Sequence, residues 1–235
     1  MTDARDLFDQ YASAYEEALS SALAPSGESR EYFAEGRVVW LKRCVAELKW
    51  SPKTILDFGC GDGATAPLLL RALNADSAVG VDVSAKSLEL ARKRYATEQI
   101  RFQAITELHA PDHIDLAYCN GVFHHILRAQ RREALALVNR ALREGGLFSF
   151  WENNPWSLAT RYVMSRCAFD RDAIPLSPPE ARRLLRDGGF GVERTDFRFI
   201  FPRALRVLRK IEDLVYRAPL GTQYQILSRK IRQAN

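Results

Sequence analysis

The sequence predicts an α/β fold, a doubly wound sheet of seven strands, and three observations carry that reading. From residue 54 to residue 153, short apolar runs of strand character alternate with helical patterns. A glycine-rich loop containing Gly59, Gly61 and Gly63 follows the first of these runs directly. Polar residues close successive runs: Asp57, Asp82, Asn120 and Glu152. In open α/β sheets, ligands gather beyond that end of the strands.

The elements follow in order. Residues 4–20 form a helical pattern with Leu7, Phe8, Tyr11 and Tyr15 on one side, and 29–48 form a second after a turn-rich stretch. "TILDFG" is the first strand, 64–73 a helix, and "AVGVDV" the second strand. Ser84 is an N-cap for a helix over 85–95, because its hydroxyl can accept from a free amide of the first turn. "IRFQAI" and "IDLAYCN" are strands three and four, and a helix over 128–143 stops at Gly145-Gly146. "GLFSFWEN" is strand five. Ser177, Pro178 and Glu180 open a further helix that Gly188 and Gly189 close. "GVERTDFRFIF" and "TQYQILSRK" are strands six and seven. The organisation is a helical cap over 1–50 on a domain over 51–235. Segments 155–176 and 202–219 are longer than connections need and read as a lid, the second with Leu205, Leu208, Ile211 and Val215 at helical spacing.

The 235 residues suffice for one well-cored domain, and 47% apolar with 27% charged residues is ordinary globular composition. The polar N-terminus is no signal peptide, and no apolar run approaches a membrane span. Cys44, Cys60, Cys119 and Cys167 show neither a CxxC pair nor metal-ligand spacing, so buried free thiols, a cytoplasmic location and no metal are expected. Between Arg198 and Arg232, nine basic residues face only Glu212 and Asp213. That local excess points to an anionic substrate or surface and argues against a general nucleic-acid binder.

Two nucleotide chemistries use loops like 59–63. Gly59-x-Gly61-x-x-Ala64 satisfies the dinucleotide fingerprint, with Asp82 at a suitable distance, so an NAD-dependent oxidoreductase is one reading. Asp57 favours the other: a carboxylate just before the glycines repels a pyrophosphate and attracts an ammonium or sulfonium. With "ILDFGCGDG", "VGVDVS", "IDLAYCNGVFHHI" and "ALREGGLFSF", residues 53 to about 151 resemble the class I S-adenosylmethionine-dependent methyltransferases, in the type-11 group. The resemblance implies a Rossmann-like methyltransferase fold and S-adenosylmethionine as cofactor. It places the methionine part on Asp57, Gly59, Gly61 and Gly63, the ribose hydroxyls on Asp82 beside Val83, and the floor beneath the sulfonium on Asn120 and Gly121. The family's adenine-reading Asp is absent from "AITEL", which leaves Thr106 or Glu107 for that role.

For the methyl acceptor, His124 is the expected base or orienting residue and Glu152 the next candidate. His109 and His113 are read as solvated. "NNPW" at 153–156 follows strand five, not strand four, so it is read as a turn with Trp156 packed into the lid. The expected activity is methylation of a small molecule, at oxygen, on an acceptor with an apolar or lipid-like part. The basic segment 203–217 is either a solvated face over a core-packed helix or a peripheral contact with an anionic membrane surface. A non-catalytic cofactor-binding scaffold is the remaining alternative.

Overall fold

The computed structural model describes residues 21–108, 113–167 and 170–231. The expected helix over 4–20, with Tyr11 and Tyr15, lies outside the described residues, as does His109. Helix α1 (Arg30–Glu47) starts where Ser29 accepts a hydrogen bond from the Tyr32 amide. Strand β1 (Thr54–Phe58), helix α2 (Thr65–Leu73), strand β2 (Ser77–Asp82), helix α3 (Ala85–Tyr95) and strand β3 (Ile100–Ala104) then alternate. Ser84 caps α3 as expected, accepting from the Ser87 amide. Strand β4 (Ile114–Asn120), helix α4 (Arg131–Ala141) and strand β5 (Leu142–Asn153) follow. After helices α5 (Leu158–Arg166) and α6 (Pro178–Asp187) come strand β6 (Phe190–Arg198), helix α7 (Arg209–Val215) and strand β7 (Gln223–Lys230).

The seven strands form one sheet in the order β3-β2-β1-β4-β5-β7-β6. β1 to β5 pair in parallel, while β7 runs antiparallel to both β5 and β6. Strand order reverses between β1 and β4, which opens a crevice at their carboxyl ends. One apolar layer joins α1, α2 and α3 to the sheet through Leu41, Cys44, Leu69 and Leu88. The other face is covered by α4 and α6, with Leu135, Leu185, Phe148 and Phe190 packed together.

Three local expectations are corrected. Helix α4 ends at Ala141, before the two glycines, and Gly145 and Gly146 lie inside β5. They mark the irregular start of the β4–β5 ladder, where a Cβ on Gly146 would sit 3.1 Å from the Asp115 carbonyl oxygen. Trp156 is 51% exposed, not packed inward. The apolar stripe of 202–219 is split, with Leu205 and Ile211 exposed and Leu208 and Val215 half-buried. The chain makes a 3-10 turn over Arg203–Leu208 with a kink at Leu205, and Val207 and Leu214 are 77% and 82% exposed. Glu212 is the buried member of α7, accepting from the Ile200 and Phe201 amides.

Asn154 ties the two long segments together. Its fully buried side-chain amide donates to the carbonyls of Pro219 and Gly221, and the Thr160 hydroxyl donates to the Thr222 carbonyl.

A buried polar knot joins α1 to the far edge of the sheet. Asp196 on β6 is fully buried and accepts from Trp40 Nε1 at 3.0 Å and Arg194 Nε at 2.6 Å, while Arg194 also pairs with Glu47. Burial pushes the Asp196 carboxyl up and the guanidinium opposes it. Arg194→Ala leaves that carboxylate without its cation, and urea unfolding should show a loss of about 3–5 kcal/mol.

Candidate functional site

The loop after β1 is pinned to β2 by backbone hydrogen bonds. The amides of Gly59 and Cys60 both donate to the Val81 carbonyl, at 2.8 and 3.0 Å. Gly59 has φ 75°, and a Cβ there would lie 2.3 Å from Val122 Cγ2, so packing alone demands glycine. Gly61 is different. Its φ is 53°, its amide donates to Asp82 Oδ2 at 2.8 Å, and nothing lies within 4 Å of the place its Cβ would take. That side of Gly61 faces the cavity.

The cavity has a volume of about 1770 Å³ and spreads over the carboxyl ends of β1, β2 and β4. Asp57, Gly59, Gly61, Asp82, Val83, Asn120 and Gly121 all line it, so the structure brings these seven expected residues together. Gly63 lies behind the loop, where a Cβ would meet the Phe102 ring. Asp57 is 2% exposed and its Oδ2 has no hydrogen-bond partner among the described residues. Burial first, then the charges of Asp82 and Asp62, raise its pKa to about 7. Such a carboxyl fits a cationic ammonium, which relieves its isolation, and does not fit a diphosphate, which would add to the negative charge. Asn120 Oδ1 is likewise buried without a partner. The sequence reading missed the clamp on this wall: Arg30 of α1 pairs with both carboxylate oxygens of Asp62.

The adenine end departs from expectation. Neither Thr106 nor Glu107 lines the cavity; Ile105 does. Glu107 turns back on its own backbone, and its Oε2 accepts from the Ala104 amide at 3.0 Å. A short 3-10 turn over Ile105–Glu107 produces this inward capping.

At the opposite wall, a second 3-10 turn over Phe123–His125 presents His124 and His125. Glu152 is buried and does not reach the cavity. One oxygen accepts from the Phe123 amide at 2.8 Å, and the other lies 2.6 Å from His124 Nδ1. The remaining nitrogen of His124, Nε2, lies 3.4 Å from Asp170 Oδ1. Burial works to lower the His124 pKa, but Glu152 and Asp170 outweigh it and raise the ring to about 10. Burial and the neighbouring His124 charge push His125 the other way. Glu152 against Nδ1 fixes the ring, so Nε2, 3.4 Å from Asp170 Oδ1, is the nitrogen left for the expected role of His124 as base or orienting residue. Glu152 is a positioning residue for this ring. Asp170 was not found from the sequence, because it stands 45 positions beyond His125 (125 to 170) in a segment without a motif.

Residues 55–146 match the family model described as "Methyltransferase domain". Over that stretch the chain carries a methyltransferase domain. Over 96 residues the chain is 32% identical to ribosomal protein L11 methyltransferase of Enterobacter sp. (strain 638), covering 40% of this chain and 32% of that protein. Over 142 residues it is 29% identical to trans-aconitate 2-methyltransferase of Rhodopseudomonas palustris (strain BisB5), covering 53% of each. The chain thus spans about a third to a half of the length of these curated relatives. In fold it is similar to a chain of the complex between the Haloferax volcanii Trm112 methyltransferase activator and a methyltransferase. That likeness has a TM-score of 0.67 at 18% identity, covering 99% of this chain and 100% of the other. S-adenosylmethionine is the cofactor of a methyltransferase domain of this kind. No helix among the described residues is long and apolar enough to cross a membrane.

Two predictions concern the cofactor wall. An ammonium ligand prefers ionised Asp57, whose pKa of about 7 lies above the ordinary carboxylate value. As pH falls through that value the ligand must displace a proton. The affinity for S-adenosylhomocysteine should then fall toward about tenfold per pH unit. Calorimetric titration from about pH 8 to about pH 5.5 checks this, and Asp57→Asn should bind more weakly with a flatter profile. Gly61→Ala adds a methyl on the open side at positive φ. It should cost about 1–2 kcal/mol of stability in denaturant unfolding and weaken S-adenosylhomocysteine by at least about tenfold.

Proposed function

We propose that this chain transfers the methyl group of S-adenosylmethionine to an oxygen of a small organic molecule with an apolar part. One observation carries the reading: the cavity continues past the cofactor loop to the His124–Asp170 wall, and α5 gives that end an apolar side with Tyr162, Val163 and Met164. In this reading Asp57 holds the ammonium, Asp82 accepts the ribose hydroxyls, and Asn120 and Gly121 form the floor. Bound there, the cofactor supplies an electrophilic methyl. The protein's own task would be to align the acceptor with that methyl, and positioning of this kind can supply effective molarities of about 10⁵–10⁸ M. His124 orients the acceptor from a ring that Glu152 holds in place. Segments 155–176 and 202–219 act together as a lid, and exposed Leu205, Val207, Ile211 and Leu214 give an apolar approach to it.

The names of the relatives divide between a small organic acid and a ribosomal protein, so the acceptor class is what must be tested. The full chain is incubated with methyl-labelled S-adenosylmethionine and a cell extract, which is then separated into small-molecule, protein and nucleic-acid fractions. Label should appear in the small-molecule fraction, extractable into organic solvent and labile to ester or ether cleavage. Label confined to protein would overturn the acceptor assignment while leaving methyl transfer standing. Binding of NAD in place of S-adenosylhomocysteine would overturn the whole reading.

A further inference from the structure

We propose that His124, His125 and Asp170 form a binding site for a divalent cation of the zinc class on the acceptor side of the cavity. Nε2 of His124 and Nε2 of His125 each lie 3.4 Å from Asp170 Oδ1. All three ligand atoms fall within 4.8 Å of one another, and all three residues line the cavity.

The spacing argues for a cation between these groups. Hydrogen bonds from a ring nitrogen to a carboxylate cluster near about 2.7–2.9 Å, so 3.4 Å is long for one. Ligand atoms bonded at about 2.0–2.2 Å to a tetrahedral ion stand about 3.3–3.6 Å apart. Asp170 supplies the second observation. Its side chain is only 7% exposed, and its Oδ1 is buried without a hydrogen bond among the described residues.

The surroundings are those of a built site. His124 holds its other nitrogen against Glu152 at 2.6 Å, the carboxylate–histidine arrangement that fixes a metal-binding ring. The Ile174 amide donates to the His124 carbonyl at 2.7 Å, and Arg131 donates to the Ile174 carbonyl at 2.5 Å, which hold the chain after Asp170 against the histidine turn. Two imidazoles and one carboxylate suit zinc and its first-row neighbours better than magnesium or calcium. Three protein ligands leave a position open toward the cavity, where an oxygen of the acceptor completes the coordination. That last role rests on the methyltransferase reading above; the cation site does not.

The test uses the full chain, stripped with a chelator and titrated with zinc by calorimetry and with cobalt by visible absorption. One equivalent should bind, with cobalt giving the intense d–d bands of a four-coordinate nitrogen and oxygen site. Asp170→Asn and His125→Ala should each weaken binding by about 100-fold or more. Circular dichroism of both variants confirms that they fold. No binding to the parent chain, equal binding by both folded variants, or a thiolate-to-cobalt charge-transfer band would overturn the site. Titration of the parent chain with S-adenosylhomocysteine separates the two readings, since its failure removes the cofactor assignment and leaves the cation result intact.

Discussion

The carboxylate of Asp57, buried at the end of β1 with an oxygen that none of the described residues satisfies, is the constraint around which the rest is arranged. An isolated buried carboxyl is costly in a core, and the surrounding loop makes it costlier by bringing Asp62 and Asp82 close. The loop in turn depends on backbone geometry. Its amides are tied to Val81 and Asp82, and its glycines either clear Val122 or leave open space. The fold therefore spends packing and hydrogen bonds to keep one acid unsatisfied at the point where strand order reverses. A cationic ligand resolves the conflict, which ties the stability of this wall to occupancy of the cavity.

The cavity has two chemically distinct ends. Near β1 and β2 the acidic groups belong to one loop and the strand beside it, with Arg30 of α1 and Arg94 of α3 paired to Asp62. Near β4 and β5 the polar groups come from three separate places: Glu152 on β5, the histidine turn, and Asp170 beyond α5. The first end is assembled locally, and the second needs the long excursion after β5 to be folded before it exists.

That difference explains what was legible in the sequence. The alternation of β1 to β5 with helices, the Ser84 cap and the Asp57–Asp82 wall all follow from contiguous patterns, where local chemistry and tertiary position agree. The glycines at 145 and 146 misled because a glycine pair serves a ladder irregularity as readily as a helix end. The stripe from Leu205 to Val215 misled because helical spacing says which residues share a side, not which side is buried; Glu212 won that place by accepting two backbone amides. Glu107 satisfied its own turn instead of reaching for a ligand. Asp170 was invisible because nothing in sequence marks a residue that meets two histidines only through the path of the chain.

Asn154 has a consequence for how such a protein can be altered. Its one amide group bridges the start of 155–176 to the end of 202–219, with Thr160 and Thr222 adding a second stitch. The two segments are thus mechanically one piece. A foreign segment at 155–176 would lose the Thr160 stitch, and one at 202–219 would have to present its last carbonyl to Asn154. The unit that would have to be moved together is made of two stretches of chain that are far apart in sequence.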